Sequence, residues 1–480
     1  MKQSIQFLCS LFGLGTIAAA ASPDILFIAI DDLRPELGCY GRPVISPNID
    51  RIAAQGMVFE RAYCQQSVCG PSRLSIMTGA YPDSLGVYGM GTRCEWRESR
   101  SEFTSIPEQF RKNGWYAVGF GKIYDNRLGV DEGFSWDEMT QGWKTHFASP
   151  EKRKVEQEWR SASKGQKPDA RMAATECADV ADDFYTDGHV TKLAVNFLKQ
   201  YKKDQPLFLA VGFPKPHLPF VAPEKYWKLY NRDSIQLPDL KAAPERATEF
   251  TLSDYKEIFD YDVPNPVPDD VARELIHGYY ACISYVDAQI GLILDALREC
   301  RDLDNTLIVL WGDHGYKLAE YGEWAKHTDL EIDTRVPLII RLPAGAVQKN
   351  GTTKSLAEFV DVLPTMCEAV GIPVPDSAEG RSLLPVLKNP QATVRDFALS
   401  QYPHRGCMGY SIRTDGWRYT EWRGTGKTGT VKASELYDLR DAPYETKNVL
   451  ADEAEKAAEM SALLNEYLRG AKKWNGSIIW

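Results

Sequence analysis

The chain has 480 residues, of which 44% are hydrophobic and 25% are charged, and its formal net charge at pH 7 is -10. This composition excludes a mainly disordered protein and provides enough apolar side chains for one large core and a smaller companion. The negative charge argues against nucleic acid as a partner, because broad binding of a phosphate backbone needs a basic face.

The N-terminal residues 1–21 combine Lys2, an apolar run and an Ala-rich end, a pattern typical of an export signal. We therefore expect an exported protein, periplasmic or secreted, whose mature chain begins near Ser22. A membrane anchor is the alternative, but the apolar run is shorter than the roughly 20 residues that a spanning helix needs. No later segment is expected to be long and apolar enough to span a membrane.

From Asp24 onward, short apolar runs alternate with helical patterns, which predicts an α/β fold. The first run, residues 25–30, is apolar throughout, as in a strand of a parallel sheet that is buried on both faces. Further strands are predicted at 207–212, 306–311 and 336–341. Helices are predicted at 48–55, 188–201 and 274–299. The polar segments 149–171 and 231–270 are expected to be long surface insertions that cover the site.

The pattern changes near Asp396. Residues 408–413 and 417–422 flank Thr414-Asp-Gly416, which predicts a β-hairpin. A further strand at 435–439 and a helix at 453–468 would complete a small antiparallel sheet covered by a helix. We therefore divide the chain into a signal peptide (1–21), a large α/β domain (22–395) and a C-terminal α+β subdomain (396–480).

Acidic residues follow two of the predicted strands at the points where the strands end. Asp31 and Asp32 come directly after the first strand, and Asp313 and His314 follow the strand at 306–311. In open α/β sheets, ligands bind outside the carboxyl ends of the strands. A hard cation such as calcium or magnesium would offset the repulsion between these carboxylates. Each Asp alone fits a helix cap or turn equally well, but their joint appearance predicts a metal site.

Cys69 lies two residues before Pro71, and proline is favoured at the first helical position. Cys69 is therefore predicted at a helix N-terminus, where anions are stabilised, with Arg73 one turn further along. The alternative for a single cysteine is a small buried side chain or half of a disulfide.

The run Cys69-Gly-Pro-Ser-Arg73, followed by Thr78-Gly79, resembles the signature of type I sulfatases, in which the cysteine is converted to formylglycine. The likeness covers nearly the whole mature chain and is strongest to the iduronate-2-sulfatase branch. Further matching segments are Asp31-Asp-Leu-Arg-Pro35, Ser46-Pro-Asn-Ile-Asp50, Gly121-Lys122, Lys215-Pro-His-Leu-Pro-Phe220, Asp313-His-Gly315, Gly322-Glu-Trp-Ala-Lys326 and Met408-Gly-Tyr-Ser-Ile-Arg413. The resemblance implies the fold of the alkaline phosphatase superfamily, with a large, mainly parallel sheet flanked by helices.

The resemblance also implies one calcium ion per chain, bound by Asp31, Asp32, Asp313 and the modified Cys69. His314 would occupy a further metal position. A nitrogen donor is unusual for calcium, so the alternative is that His314 forms a hydrogen bond with the sulfate or a carboxylate. The modification implies a formylglycine-generating maturation enzyme as a partner.

The implied reaction is hydrolysis of a sulfate ester on a carbohydrate. A hydroxyl of the hydrated aldehyde attacks sulfur, while the metal and Arg73 stabilise the ionised diol and hold the sulfate oxygens. Lys122 and Lys326 would neutralise charge on the transferring group. His217 is expected to protonate the leaving sugar hydroxyl, and its alternative role is to stabilise a proline-rich turn.

One position departs from the family pattern. These sulfatases usually have a histidine within a few residues of the Gly-Lys pair, whereas the run here is Gly121-Lys-Ile-Tyr-Asp-Asn126. Asp125 or Asn126 would take its place. Because an aspartate is a base rather than a cation, turnover or substrate preference is expected to differ.

Two other functions stay open at this point. A phosphate or phosphonate ester hydrolase of the same superfamily would use the same acids, although a second metal site needs more ligands than seven scattered histidines provide. A pseudosulfatase that only binds sulfated glycans would follow if Cys69 stays a thiol. Four residues near the C-terminal sheet either shape a sugar subsite or serve in packing: Tyr402, His404, Arg405 and Arg413.

Overall fold

The computed structural model describes residues 22–90, 96–162, 168–424, 429–473 and 475; the predicted export signal lies outside the described residues. The strands are β1 (Asp24–Asp31), β2 (Met57–Tyr63), β3 (Tyr116–Gly121), β4 (Glu138–Thr140), β5 (Thr175–Ala178), β6 (Leu207–Pro216), β7 (Phe220–Pro223), β8 (Thr306–Gly312), β9 (Arg335–Arg341), β10 (Gly351–Glu358), β11 (Ala398–His404), β12 (Cys407–Arg413), β13 (Trp417–Gly424) and β14 (Val431–Asp438). The helices are α1 (Pro47–Ala54), α2 (Cys69–Thr78), α3 (Pro82–Leu85), α4 (Ile106–Lys112), α5 (Pro150–Ser161), α6 (Thr186–Gln200), α7 (Glu224–Trp227), α8 (Asp269–Cys300), α9 (Glu331–Thr334), α10 (Val362–Val370), α11 (Leu384–Lys388) and α12 (Ala454–Gly470).

The main sheet has eight strands in the order β10-β2-β9-β8-β1-β6-β3-β4. All neighbouring pairs are parallel except those of β9, which is antiparallel to both β2 and β8. The predicted α/β fold with a mainly parallel sheet is therefore confirmed. The carboxyl ends of β8, β1, β6 and β3 lie side by side along one edge.

Strand β1 at the centre of the sheet is buried on both faces, as its continuous apolar sequence predicts. Leu26, Ile28 and Ile30 pack in one cluster with helices α6 and α8. The alternate residues Ile25, Phe27 and Ala29 pack in a second cluster with α2, α4 and α10. Two cores thus hold the end of β1 firmly in place.

Helix α8 corrects one sequence expectation. It is long and apolar enough to cross a membrane by length and composition, with a mean hydropathy of 1.3 over 18 residues, although we expected no such segment. That stretch is 83% buried inside the protein, where α8 packs on β6 and β7. Its apolar composition is therefore that of a core helix.

The C-terminal strands β11, β12, β13 and β14 form a second, antiparallel sheet. The predicted hairpin at Thr414 to Gly416 is confirmed, because the Thr414 N–H donates to the Trp417 carbonyl at 2.9 Å. Helix α12 packs on this sheet through Met460 and Leu464, as expected. The division of the chain at residue 395 stays a prediction.

The polar segment 149–171, predicted as a surface insertion, contains helix α5 over much of its length. Ser149 caps the N-terminus of this helix, because its hydroxyl accepts a hydrogen bond from the Lys152 N–H. Glu156 is the one buried residue of the helix, and its carboxylate accepts from the N–H of His146. This helix lines part of the cavity described below.

Candidate active site

The residues predicted for metal binding and catalysis meet at the carboxyl end of the main sheet. Asp31 is the last residue of β1, and Asp313 and His314 directly follow β8. Lys122 follows β3, and His217 follows β6. Because these four strands are neighbours, their ends bring side chains from distant parts of the sequence together.

Cys69 is the first residue of α2, at the predicted helix N-terminus. Pro71 is the third helical residue rather than the first, so the helix begins two residues earlier than its proline suggests. The Cys69 sulfur is unbonded to other cysteines and lies 3.5 Å from Asp31 Oδ1 and 3.2 Å from His314 Nε2. Burial, together with the Asp31 carboxylate, raises the pKa of this thiol well above its ordinary value.

The acids and Cys69 form overlapping clusters that could hold a metal ion. Ligand atoms lie within 4.8 Å of one another in three sets, Asp31 with Cys69 and Asp313, Asp32 with Cys69 and His314, and Asp31 with Asp32 and His217. Burial raises the pKa of Asp32 well above its ordinary value. The Lys326 charge lowers this pKa, and the Asp31 carboxylate raises it further. A cation would relieve this repulsion, so the oxygen-rich donor set fits a hard divalent ion.

His314 presents an unprotonated nitrogen to this cluster. Its Nδ1 lies 2.9 Å from the Gly315 carbonyl, which can only accept, so Nδ1 carries the proton of the neutral ring. Burial lowers the pKa of His314, which favours that neutral form. The Nε2 lone pair then lies 3.6 Å from Asp32 Oδ1. A cation could lie between these two acceptors, although the Cys69 thiol, 3.2 Å from Nε2, can also donate to it, so the role of His314 as a metal ligand stays a prediction.

Arg73 is fully buried and holds two of the acids in place. Its Nε donates to Asp313 Oδ2 at 2.9 Å, and its Nη2 donates to Asp31 Oδ1 at 3.1 Å. Its Nη1 donates to the carbonyls of Lys122 and Ile123 at 2.6 and 2.9 Å. The guanidinium thus ties the ends of β1, β3 and β8 together, while the implied contact with sulfate stays a prediction.

Two lysines bring positive charge to the same point. Lys122 Nζ donates to Asp31 Oδ2 at 2.5 Å, and Lys326 Nζ donates to both Asp32 oxygens at 2.8 and 2.9 Å. Burial opposes the charge of each lysine, but the surrounding negative groups, first of all the paired carboxylate, together outweigh it and raise the pKa of both. Both ammonium groups are therefore charged at neutral pH.

Glu257 is a site residue that sequence reasoning missed. It comes from the polar segment 231–270, and no motif marks it. Its Oε1 lies 3.4 Å from His217 Nε2, and its Oε2 lies 3.5 Å from Lys326 Nζ. His217 Nδ1 lies 2.8 Å from the Leu218 carbonyl, so Nδ1 is protonated and Nε2 faces Glu257.

A cavity of about 760 Å³ opens beside Asp31, Lys122 and His217. Asp125 lies behind the wall of this cavity and accepts a hydrogen bond from Arg127. Burial would raise the pKa of Asp125, but Arg127 lowers it to about 2, so the carboxylate is ionised. Asp125 is therefore already paired at the place where we expected a substitute for the usual histidine. Residues that also line the cavity are Asn126, Arg127, Trp143, His146, Glu156, Trp159, Arg160, Met172, Lys215 and Tyr261.

The four residues near the C-terminal sheet do not line this cavity. Arg413 is buried and paired with Glu331 at 3.0 Å, so it serves in packing. Arg405 pairs with acids of the 231–270 segment, and the rings of Tyr402 and His404 stack on each other with centroids 6.3 Å apart.

Comparison with known proteins agrees with this geometry. The Sulfatase family model matches residues 23–372, and the N-sulphoglucosamine sulphohydrolase C-terminal model matches residues 319–473. Iduronate 2-sulfatase of Mus musculus is 32% identical, over 91% of this chain and 92% of that protein.

Solved structures support the fold. Phosphonate monoester hydrolase of Agrobacterium radiobacter has a TM-score of 0.74 at 22% identity, covering 93% of this chain and 95% of that one. An enzyme solved with its substrate D-glucosamine-2-N,6-O-disulfate has a TM-score of 0.72 at 23% identity, covering 93% and 98%. The predicted fold, a large and mainly parallel sheet flanked by helices with a smaller C-terminal sheet, is thereby confirmed. The chain belongs to the sulfatase family, in its iduronate-2-sulfatase-like branch, and is a sulfuric ester hydrolase.

Proposed function

We propose that this protein is an exported sulfatase that removes a sulfate ester from a carbohydrate, with Cys69 converted to formylglycine and a calcium ion at the three aspartates. The observation that carries this proposal is the meeting of Cys69, three aspartates and two lysines at one edge of the sheet. Apart from the consecutive Asp31 and Asp32, these residues lie far apart in the sequence, so their convergence is a property of the fold.

The charges at this point match a sulfate monoester. Asp31, Asp32, Asp313 and Glu257 supply four negative charges, while Arg73, Lys122 and Lys326 supply three positive charges. A divalent cation would change the local sum from -1 to +1, which is the complement of a sulfate monoester. Calcium is preferred because the three aspartates offer oxygen ligands, and conversion of Cys69 to formylglycine would replace its soft sulfur by oxygen.

Formylglycine, as its hydrate, would supply the hydroxyl that attacks sulfur and the aldehyde that later re-forms. The residues around it perform the other tasks. The N-terminus of α2 favours negative charge at position 69. Lys122 and Lys326 would shift from their carboxylates toward the sulfate oxygens, and Arg73 would keep Asp31 and Asp313 oriented throughout.

His217 would give a proton to the leaving sugar oxygen. Its Nδ1–H is held by the Leu218 carbonyl, so the proton to be transferred must be on Nε2. Glu257, 3.4 Å from that nitrogen, would stabilise the protonated imidazole. Burial, together with the Lys326 charge, lowers the pKa of His217 well below its ordinary value, so the imidazole is neutral in the free protein. We assign Glu257 as the residue that would orient His217 when its Nε2 takes up a proton.

The carbohydrate substrate and the export of the protein rest on separate observations. The mouse relative is an iduronate 2-sulfatase, and a structurally similar enzyme was solved with a disulfated glucosamine. The export signal pattern in residues 1–21 supports a periplasmic or secreted location. A formylglycine-generating enzyme would then be the maturation partner.

Phosphonate ester hydrolysis is the second candidate, favoured by the structural similarity to the Agrobacterium radiobacter enzyme. The charge balance disfavours a phosphate monoester, whose dianion would exceed the local charge of +1. A phosphonate monoester carries one negative charge, like a sulfate monoester, so the resemblance of residues 69–73 to the sulfatase signature is what favours sulfate over phosphonate. A pseudosulfatase is disfavoured by the intact set of lysines and acids.

The test is release of sulfate from a panel of defined sulfated oligosaccharides by protein co-expressed with a maturation enzyme. Conversion of Cys69 is confirmed by peptide mass spectrometry, and phosphate and phosphonate esters are assayed in parallel. Sulfate release that requires conversion supports the proposal. Fully converted protein that cleaves phosphonate esters but no sulfate ester would overturn it.

A further inference from the structure

The wall of the cavity carries an arginine that the proposed mechanism does not use. Arg127 lines the same cavity as Asp31, Lys122 and His217. Its side chain is 47% exposed, whereas the side chain of its partner Asp125 is only 2% exposed. The guanidinium therefore faces the cavity while its counter-ion is held behind the wall.

Asp125 fixes the orientation of Arg127 through three hydrogen bonds. Asp125 Oδ1 accepts from the Arg127 N–H at 3.0 Å and from Nε at 2.8 Å, and Oδ2 accepts from Nη2 at 2.7 Å. Among the described residues, Nη1 has no hydrogen-bond acceptor. A two-point pair of this kind holds the planar guanidinium rigidly and leaves its outer edge available for another anion.

The charge of Arg127 also reaches the reacting centre. Burial opposes the charge of Arg127, but Asp125 outweighs it, and Cys69 and Asp31 contribute further to raising the pKa of the guanidinium. Arg127 therefore lies within electrostatic range of position 69 and of Asp31, and it shares the cavity that Asp31 lines.

The same Asp-x-Arg pairing occurs elsewhere in the chain, away from the cavity. Asp438 accepts from the Arg440 N–H at 3.0 Å, from Nε at 2.9 Å and from Nη2 at 2.5 Å. Arg440, however, lies over the ring of Trp417, 4.6 Å from its centroid, and outside the cavity. The Asp-x-Arg pair is thus an ordinary structural unit, and only its position in the cavity gives Arg127 a ligand to bind.

We propose that Arg127 binds the sulfate group of the substrate as a third cation beside Lys122 and Lys326, and that Asp125 is its positioning residue. This inference rests on the proposed function. An arginine stays protonated at every physiological pH, so Arg127 contributes binding and charge but transfers no proton.

The first measurement is calorimetric binding of inorganic sulfate to the calcium-loaded protein. Arg127→Gln is expected to weaken binding about 10- to 100-fold, the range for losing one hydrogen bond between charged groups. Arg127→Lys should recover part of this loss. Asp125→Asn should weaken binding less, and adding it to Arg127→Gln should cause no further loss, because both changes act on one interaction. Arg440→Gln, the matched control, should bind sulfate like the parent protein.

The second measurement is kcat/KM for 4-nitrophenyl sulfate and for a sulfated oligosaccharide, with Cys69 conversion equalised by mass spectrometry. Both values should fall by similar factors in Arg127→Gln, because the contact is to the sulfate that both substrates share. Unchanged sulfate binding, or a loss confined to sugars that carry a second anion, would overturn the assignment. A parent protein that cleaves no sulfate ester would sink the proposed function, whereas an active parent with an unaffected Arg127→Gln variant would sink only this inference.

Discussion

Replacing Arg73 by lysine tests whether this residue mainly holds sulfate or mainly holds the strand ends together. If Arg73 mainly holds sulfate, a lysine of equal charge should preserve the fold and the metal site. The structure instead commits the guanidinium to two acids and two backbone carbonyls. A lysine has one ammonium group, which cannot reach the ends of β1, β3 and β8 together.

The expected loss of stability in Arg73→Lys follows from the burial of Arg73 and its partners. Arg73 and its partners Asp31 and Asp313 are at most 1% exposed, so the lost hydrogen bonds are not replaced by water. Breaking a buried ion pair by removing one partner costs about 3 to 5 kcal/mol. For a chain of 480 residues the entropy of unfolding is about 1 kcal/mol per kelvin, so Arg73→Lys should lower Tm by about 3 to 5 °C.

The assay is differential scanning calorimetry with and without calcium, together with isothermal titration of calcium. Arg73→Lys should show both the lower Tm and weaker calcium binding, since Asp31 and Asp313 lose their orientation. Lys122→Arg serves as the matched control, because it keeps the charge and leaves the Arg73 bonds intact. An Arg73→Lys variant with parental Tm and calcium affinity but no sulfatase activity would refute the reasoning and return Arg73 to a sulfate-holding role.

Three further predictions test the site and its support. Cys69→Ala should abolish sulfate release while circular dichroism and Tm stay close to the parent values, and retained activity would refute the nucleophile assignment. Asp31→Asn should lower calcium affinity and activity together, whereas full activity of the parent after chelation would contradict a metal role. Burial would raise the pKa of Glu331, but Arg413 and Arg418 hold it at about 2, below the ordinary 4.5. Ionisation of this carboxylate therefore adds about 3 kcal/mol to the free energy of unfolding above pH 4.5, and this contribution is lost as the pH falls toward 2. The difference in stability between the parent and Glu331→Gln, measured by urea titration, should shrink over that pH range. A difference independent of pH would contradict the pairing.

The parts of the fold predicted from sequence are those with a strong local pattern. The apolar run of β1 predicts burial on both faces, and the long periodic stretch at 274–299 predicts most of α8. Strand β2 was missed because Glu60 and Arg61 interrupt its apolar run, and the structure accommodates them at partly exposed positions. Strand β3 was missed because Gly119 and Gly121 weaken its pattern. Gly121 is required, because its φ is 77° and a Cβ there would collide with the Gly212 carbonyl.

The site residues were predicted to the extent that they lie at strand ends or in motifs. Glu257 has neither signal, since its contacts with His217 and Lys326 join residues 40 and 69 positions apart in the sequence. Arg127 was missed for a different reason. The sequence drew attention to Asp125 as a possible base, whereas the structure pairs that acid with the arginine two residues later.

The geometry at the end of β1 explains how two consecutive aspartates serve one site. Successive side chains of a strand point to opposite faces, so Asp31 and Asp32 would diverge if the strand simply continued. Instead, the register with β6 shifts between Ile30 and Asp31, and Asp32 adopts a left-handed conformation with φ of 57°. That conformation costs about 1 to 2 kcal/mol in a non-glycine residue. The Asp32 N–H offsets part of this cost by donating to Asp313 Oδ1 at 2.9 Å. The strain therefore lies at the one residue that must turn for a second carboxylate to face Cys69 and the proposed cation.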